Sequence, residues 1–117
     1  MRTVELNGRT YRIRDITVLE GMFLALPLID GARLNMTPVE SYMLLGKSYF
    51  MEIEKVALNF VDRVMSPDHA YPVVDDRGFV KDPDITVYEV TILFSEVIKD
   101  VQESFPQAAS ASGKPQS

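Results

Sequence analysis

Five aspartates, Asp68, Asp75, Asp76, Asp82 and Asp84, crowd one stretch of the chain, and His69, the single histidine, stands among them. Carboxylates and an imidazole are the ligands of hard cations and of zinc. The spacing does not support either use. There is no second histidine and no cysteine to complete a zinc set. Asp75-Asp76-Arg77-Gly78 departs from a calcium-binding loop, and Arg77 places a cation among the acids. Turn formation, helix capping and solubility explain these aspartates. No glycine-rich phosphate loop, serine-nucleophile motif or paired histidine–carboxylate motif occurs. The expectation is a non-enzyme with no cofactor and no metal.

Basic residues gather at the other end, as Arg2, Arg9, Arg12 and Arg14. A nucleic-acid surface would set arginines beside exposed aromatics, and Tyr11 is near. Tyr11 and Arg12 fall on opposite faces of an extended segment, however, and pairing of Glu5 with Arg12 or Thr10 across strands accounts for the charge. The whole chain of 117 residues carries a net charge of −5 and a pI near 4.8. It is expected to bind neither nucleic acid nor an anionic membrane. The longest apolar stretch, Met22 to Ile29, is far short of the roughly 20 residues that span a bilayer. No basic-flanked apolar run with a cleavage site opens the chain, so no signal peptide is expected.

The elements that must position these residues are legible in part. Asn7-Gly8 is a strong signal for a two-residue turn with positive φ at both positions. It predicts a hairpin over residues 3–14, with Val4, Leu6, Tyr11 and Ile13 on one face and Thr3, Glu5, Thr10 and Arg12 on the other. Two strands alone are marginal, so the apolar face must pack on helices. A first helix follows over about Val18 to Leu26, capped by Asp15 or Thr17. Pro27 ends or kinks it, and Asp30-Gly31 marks a turn.

Thr37-Pro38-Val39-Glu40 is a capping box with proline at N1. It opens a predicted helix over about Pro38 to Val64 that is apolar on nearly every side. Gly46 lies in its middle, either as a bend or as a point of close approach. Residues 66–84 read as a polar connection. A third helix spans about Ile85 to Ser104, capped by Asp82 or Asp84, with a strand over 85–92 as the alternative for its β-branched first half. The expected fold is mainly α with a small N-terminal β-hairpin (α+β), three or so helices packed around one long central helix. Residues 1–105 form a single domain, and 106–117 a flexible tail.

The run Leu6-Asn7-Gly8-Arg9-Thr10-Tyr11-Arg12-Ile13-Arg14, leading through Asp15-Ile16-Thr17-Val18-Leu19-Glu20 into helices, resembles the tail assembly chaperones of long-tailed bacteriophages. The resemblance covers the layout of residues 1 to about 105 and contains no invariant motif. It implies a non-catalytic protein of the host cytoplasm that coats the long, apolar tape measure protein, or another tail protein, before the tail tube polymerises. In that family a longer product often arises by frameshifting near the end of the short form, and Gly113-Lys114 suits a slippery run. Apolar excess on the long helix fits such a role, with Met22, Met36, Met43, Met51 and Met65 as adaptable side chains. A groove between the second and third helices would hold a client helix. Tyr49, Phe50, Ile53, Phe60, Leu93 and Phe94 are its expected apolar contacts, and self-association is open. Two rivals use the same apolar surface: a structural tail or baseplate component of the virion, and a small regulatory or anti-host binding module.

Overall fold

The computed structural model describes residues 1–108, except for the side chain of Lys47. Asn7 and Gly8 adopt positive φ, and the two-residue turn joins β1 (Arg2–Leu6) to β2 (Arg9–Ile13). The register pairs Leu6 with Arg9, Glu5 with Thr10, Val4 with Tyr11 and Thr3 with Arg12. Turn and alternation therefore agree, because both are local and one apolar face is buried.

The helix α1 (Val18–Arg33) runs through Pro27 and beyond the Leu26 expected from the sequence. It stops at Asn35, which takes a positive φ while its N–H and that of Met36 bond back to the Ala32 and Gly31 carbonyls. This is a Schellman closure with asparagine in the left-handed position. Gly31 is not a turn residue. It lies within α1 where α2 (Pro38–Met43) crosses, and a Cβ there would stand 1.7 Å from the Ser41 hydroxyl oxygen.

The long central helix expected from Pro38 to Val64 does not exist, and the fold is not a set of helices around it. The capping box at Thr37 and Glu40 forms as read. The helix then ends after Met43, and Gly46, at φ 92 and ψ 160, turns the chain into α3 (Lys47–Leu58). That backbone region is open almost only to glycine. After α3 the chain becomes extended as β3 (Val61–Ser66), which pairs antiparallel with β2. A two-residue turn at Pro67-Asp68 leads to β4 (His69–Pro72), and the order is β1-β2-β3-β4. The hairpin is thus half of a four-stranded antiparallel sheet, and the fold is α+β. Val61 and Val64, β-branched, suit a strand as well as a helix. Pairing with a hairpin that needs further strands decides between them.

The stretch read as a connection continues this sheet in part. Val74 bridges to Val80, and the Asp75 carboxylate accepts from the N–H groups of Arg77 and Phe79. The helix α4 (Val87–Ser104) is capped by Thr86 with Glu89 at N3, not by Asp82 or Asp84, and no strand forms over 85–92. A short 3-10 turn, Pro106–Ala108, closes the described chain and buries Ala108. The rest of the expected tail lies outside the described residues.

The core fills the space between the inner face of the sheet and the helices. Tyr11, Ile13 and Val61 meet Leu24, Leu28, Tyr42, Ile53, Ala57, Leu93, Val97 and Val101 there, all buried. Tyr42, Phe50 and Phe94 pack with ring centroids about 6 Å apart. The Tyr42 hydroxyl donates to the Leu24 carbonyl at 2.7 Å.

Candidate protein-binding groove

Two clusters of side chains stand out, one ionic and one apolar. The ionic cluster lies where the hairpin tip meets the loop before α4. Arg63 shares the inner face of the sheet with Tyr11, to which it is paired in register. Its guanidinium contacts the Asp82 carboxylate at 3.1 Å and lies over the Tyr11 ring, while the Tyr11 hydroxyl donates to Asp82 at 3.3 Å. Arg9 donates to the Tyr11 hydroxyl and pairs with Glu89, which Asn7 and the capping backbone N–H of Thr86 also engage. Burial opposes ionisation of Asp82. The Asp84 N–H, Arg63 and Tyr11 outweigh it and hold the carboxyl below its usual range. Glu89 is held low by the Thr86 N–H first, then by Asn7 and Arg9. Each acid in this network is already engaged by neighbours, and the Asp82 side chain is 0% exposed. The arrangement ties the hairpin tip and α4 together and presents no free base or nucleophile.

The other aspartates remain apart. Asp68, Asp76 and His69 are exposed, and His69 leans toward Tyr71 with ring centroids 6.3 Å apart. Among the described residues no three of His, Asp and Glu converge as a metal site. On the outer face of the sheet, Arg12 pairs with Asp62 at 2.7 Å and Arg14 with the same carboxylate at 3.4 Å. The basic patch read from the sequence is therefore neutralised within the fold. No helix among the described residues is long and apolar enough to cross a membrane.

The apolar cluster lies where Gly46 breaks the chain. Val39 and Met43, one turn apart on α2, face Phe50, Met51 and Glu54 of α3 across Gly46, enclosing an open groove of about 490 Å³. Met43 is 65% exposed and Met51 50%, and Leu44 and Leu45 on the connecting turn are also exposed. Half-buried Phe50 reaches both the groove and the aromatic packing around Tyr42 and Phe94. Tyr49 lies on another flank of α3, stacked on Phe23 at 5.6 Å and partly exposed. A second exposed apolar stripe, Leu19, Met22 and Leu26, runs along α1.

Of the six contacts expected from sequence, Phe50 lines this groove and Tyr49 is at the surface. Ile53, Phe60, Leu93 and Phe94 are buried in the core. The expected groove between the central helix and the last helix is filled by that packing. Val39, Met43 and Met51 line it outside those six, Met43 and Met51 being two of the five methionines expected to adapt to a client. Their signal was Gly46: once it breaks the helix, the stripes on either side turn toward each other.

No family model, no curated protein sequence and no solved structure matches the chain.

Proposed function

We propose that this chain is a non-catalytic tail assembly chaperone, which holds an apolar helix of a phage tape measure protein in the α2–α3 groove and keeps that client soluble in the host cytoplasm. The observation that carries the reading is the apolar surface around Gly46. Val39, Met43, Leu44, Leu45 and Met51 are exposed together on one short stretch of chain. Monomeric proteins rarely leave a contiguous apolar patch of several hundred Å² without using it. Helix-in-groove recognition needs such a surface, read by client side chains at i, i+3, i+4 and i+7. Methionines at 43 and 51 adapt to several client sequences, as a long repetitive client requires. The net charge of −5 keeps the loaded and free forms from collecting into aggregates.

Co-expression with the tape measure protein of the same genome tests this. The client should be soluble with the parent chain and insoluble with Met43→Asp or Met51→Asp, while both variants keep the parent's thermal unfolding. Equal solubility with folded variants would place the client elsewhere.

A second reading, a structural component of the virion tail, draws on the α1 stripe. Leu19, Met22 and Leu26 repeat at i, i+3 and i+7 and are exposed, a spacing suited to self-pairing of helices in a symmetric assembly. Stoichiometric presence in finished particles would favour it, and absence would favour the chaperone.

A further inference from the structure

Glu54 differs from every other buried or half-buried carboxylate among the described residues. Asp62 is paired with Arg12, Asp82 with Arg63, and Glu89 with Arg9. Glu96 and Asp100 are both engaged by Arg2. Glu20 accepts from the Thr17 hydroxyl, and Asp75 accepts from two backbone N–H groups. Half-buried Glu54 has no ion pair and no hydrogen bond among the described residues. Among the described residues it is also the one charged side chain lining the α2–α3 groove, whose other described walls are Val39, Met43, Gly46, Phe50 and Met51.

Covering that groove with an apolar helix would take Glu54 further out of water. A carboxylate desolvated without a partner is costly, and one that gains a cation is not. Gly46 adds a second constraint. A Cβ at that position would meet nothing within 4 Å, so the groove is open there to the backbone of an occupant.

We infer that the helix recognised by this groove is a basic amphipathic one, with a lysine or arginine set against Glu54 and a small apolar residue crossing Gly46. This rests on the reading of the groove as a client site and names the chemistry of the client. Apolar contacts supply the affinity, and Glu54 rejects helices whose flank is acidic or uncharged at that point.

The test uses the full chain and two synthetic helical peptides with the same leucine and alanine stripe, one flanked by lysines and the other by glutamates. Binding is read by fluorescence anisotropy at about 0.15 M salt, where long-range attraction is largely screened. The lysine peptide should bind at least about tenfold more tightly. Glu54→Gln should level the two peptides, Glu54→Lys should invert the preference, and Met51→Asp should abolish binding of both. Thermal unfolding confirms that each variant is folded. Equal binding of the two peptides, lost in Met51→Asp, would overturn the inference and leave the groove as a client site. A preference that persists in Glu54→Gln would also overturn it, since general attraction to an acidic protein would then be the cause. Binding of neither peptide, with client solubility indifferent to Met51→Asp, would sink the groove reading itself. Self-association that Met51→Asp removes, with no peptide bound, would make the occupant a second copy and overturn the inference.

Discussion

Replacing Gly46 by alanine separates two accounts of the segment from Pro38 to Leu58, because they predict opposite signs. If this segment were one helix, alanine at 46 would stabilise it by about 1 kcal/mol, the propensity difference between glycine and alanine in a helix interior. In the structure Gly46 holds φ 92 and ψ 160 between α2 and α3. An L-residue in that region costs about 1–3 kcal/mol. No steric term complicates the comparison, since an added Cβ meets nothing within 4 Å. The change is therefore one of backbone conformation alone. For a domain of this size the melting temperature should fall by roughly 4 to 12 °C. Thermal unfolding followed by circular dichroism, with a urea titration as a second measure, reads it directly. D-alanine introduced by chemical ligation provides the mirror-image control. It favours positive φ and should match or exceed the parent stability. An unchanged or raised melting temperature for Gly46→Ala would refute the break, and with it the groove that the break creates.

Three further outcomes follow from particular contacts. Gly31→Ala drives a Cβ to within 1.7 Å of the Ser41 hydroxyl oxygen. It should destabilise by about 1–3 kcal/mol despite the better helix propensity, and Ser41→Gly in the same chain should recover most of the loss by urea titration. Tyr42→Phe removes the buried hydrogen bond to the Leu24 carbonyl and should cost about 1 kcal/mol in the same assay, whereas no change would mean that water replaces the hydroxyl. Asp82 and Glu89 have folded pKa values below their ordinary 3.8 and 4.5, so they contribute stability above those values that is lost as pH falls through the lower folded ones. The urea midpoint should hold from neutral pH to about 5 and drop below about 4. Asp82→Asn should flatten that acid limb, and an unaltered limb would remove Asp82 from its cause.

What the sequence disclosed divides along the range of the interactions. The hairpin register, the Thr37–Glu40 capping box and the approximate span of α4 depend on neighbours within a few residues. They are found as read. Val61 to Val64 fits the end of a helical stripe as well as a strand, and only pairing with β2, some fifty residues earlier, makes it a strand. Asp30-Gly31 resembled a turn, but Gly31 serves the crossing of α2, which no local pattern reveals. The ionic cluster was missed for the same reason. Arg63, Asp82 and Tyr11 are far apart in the chain, and the aspartates near 82 were explained by capping that Thr86 performs instead. Of the groove, Phe50 among the six expected contacts and Met43 and Met51 among the adaptable methionines were legible from residue type alone. Ile53, Phe60, Leu93 and Phe94 were not separable from the core, since a buried wall and a binding wall share one composition.

A photo-crosslinking amino acid at position 51, in cells producing particles, asks whether the proposed α2–α3 groove holds the tape measure protein during assembly, with the same group at exposed Tyr88 on α4 as the control. A chaperone should give a crosslink from position 51 to the tape measure protein, weak or absent from position 88, and no copies of this chain in finished particles. Crosslinks from position 51 that never include the tape measure protein, with the chain present at fixed stoichiometry in those particles, would contradict that role.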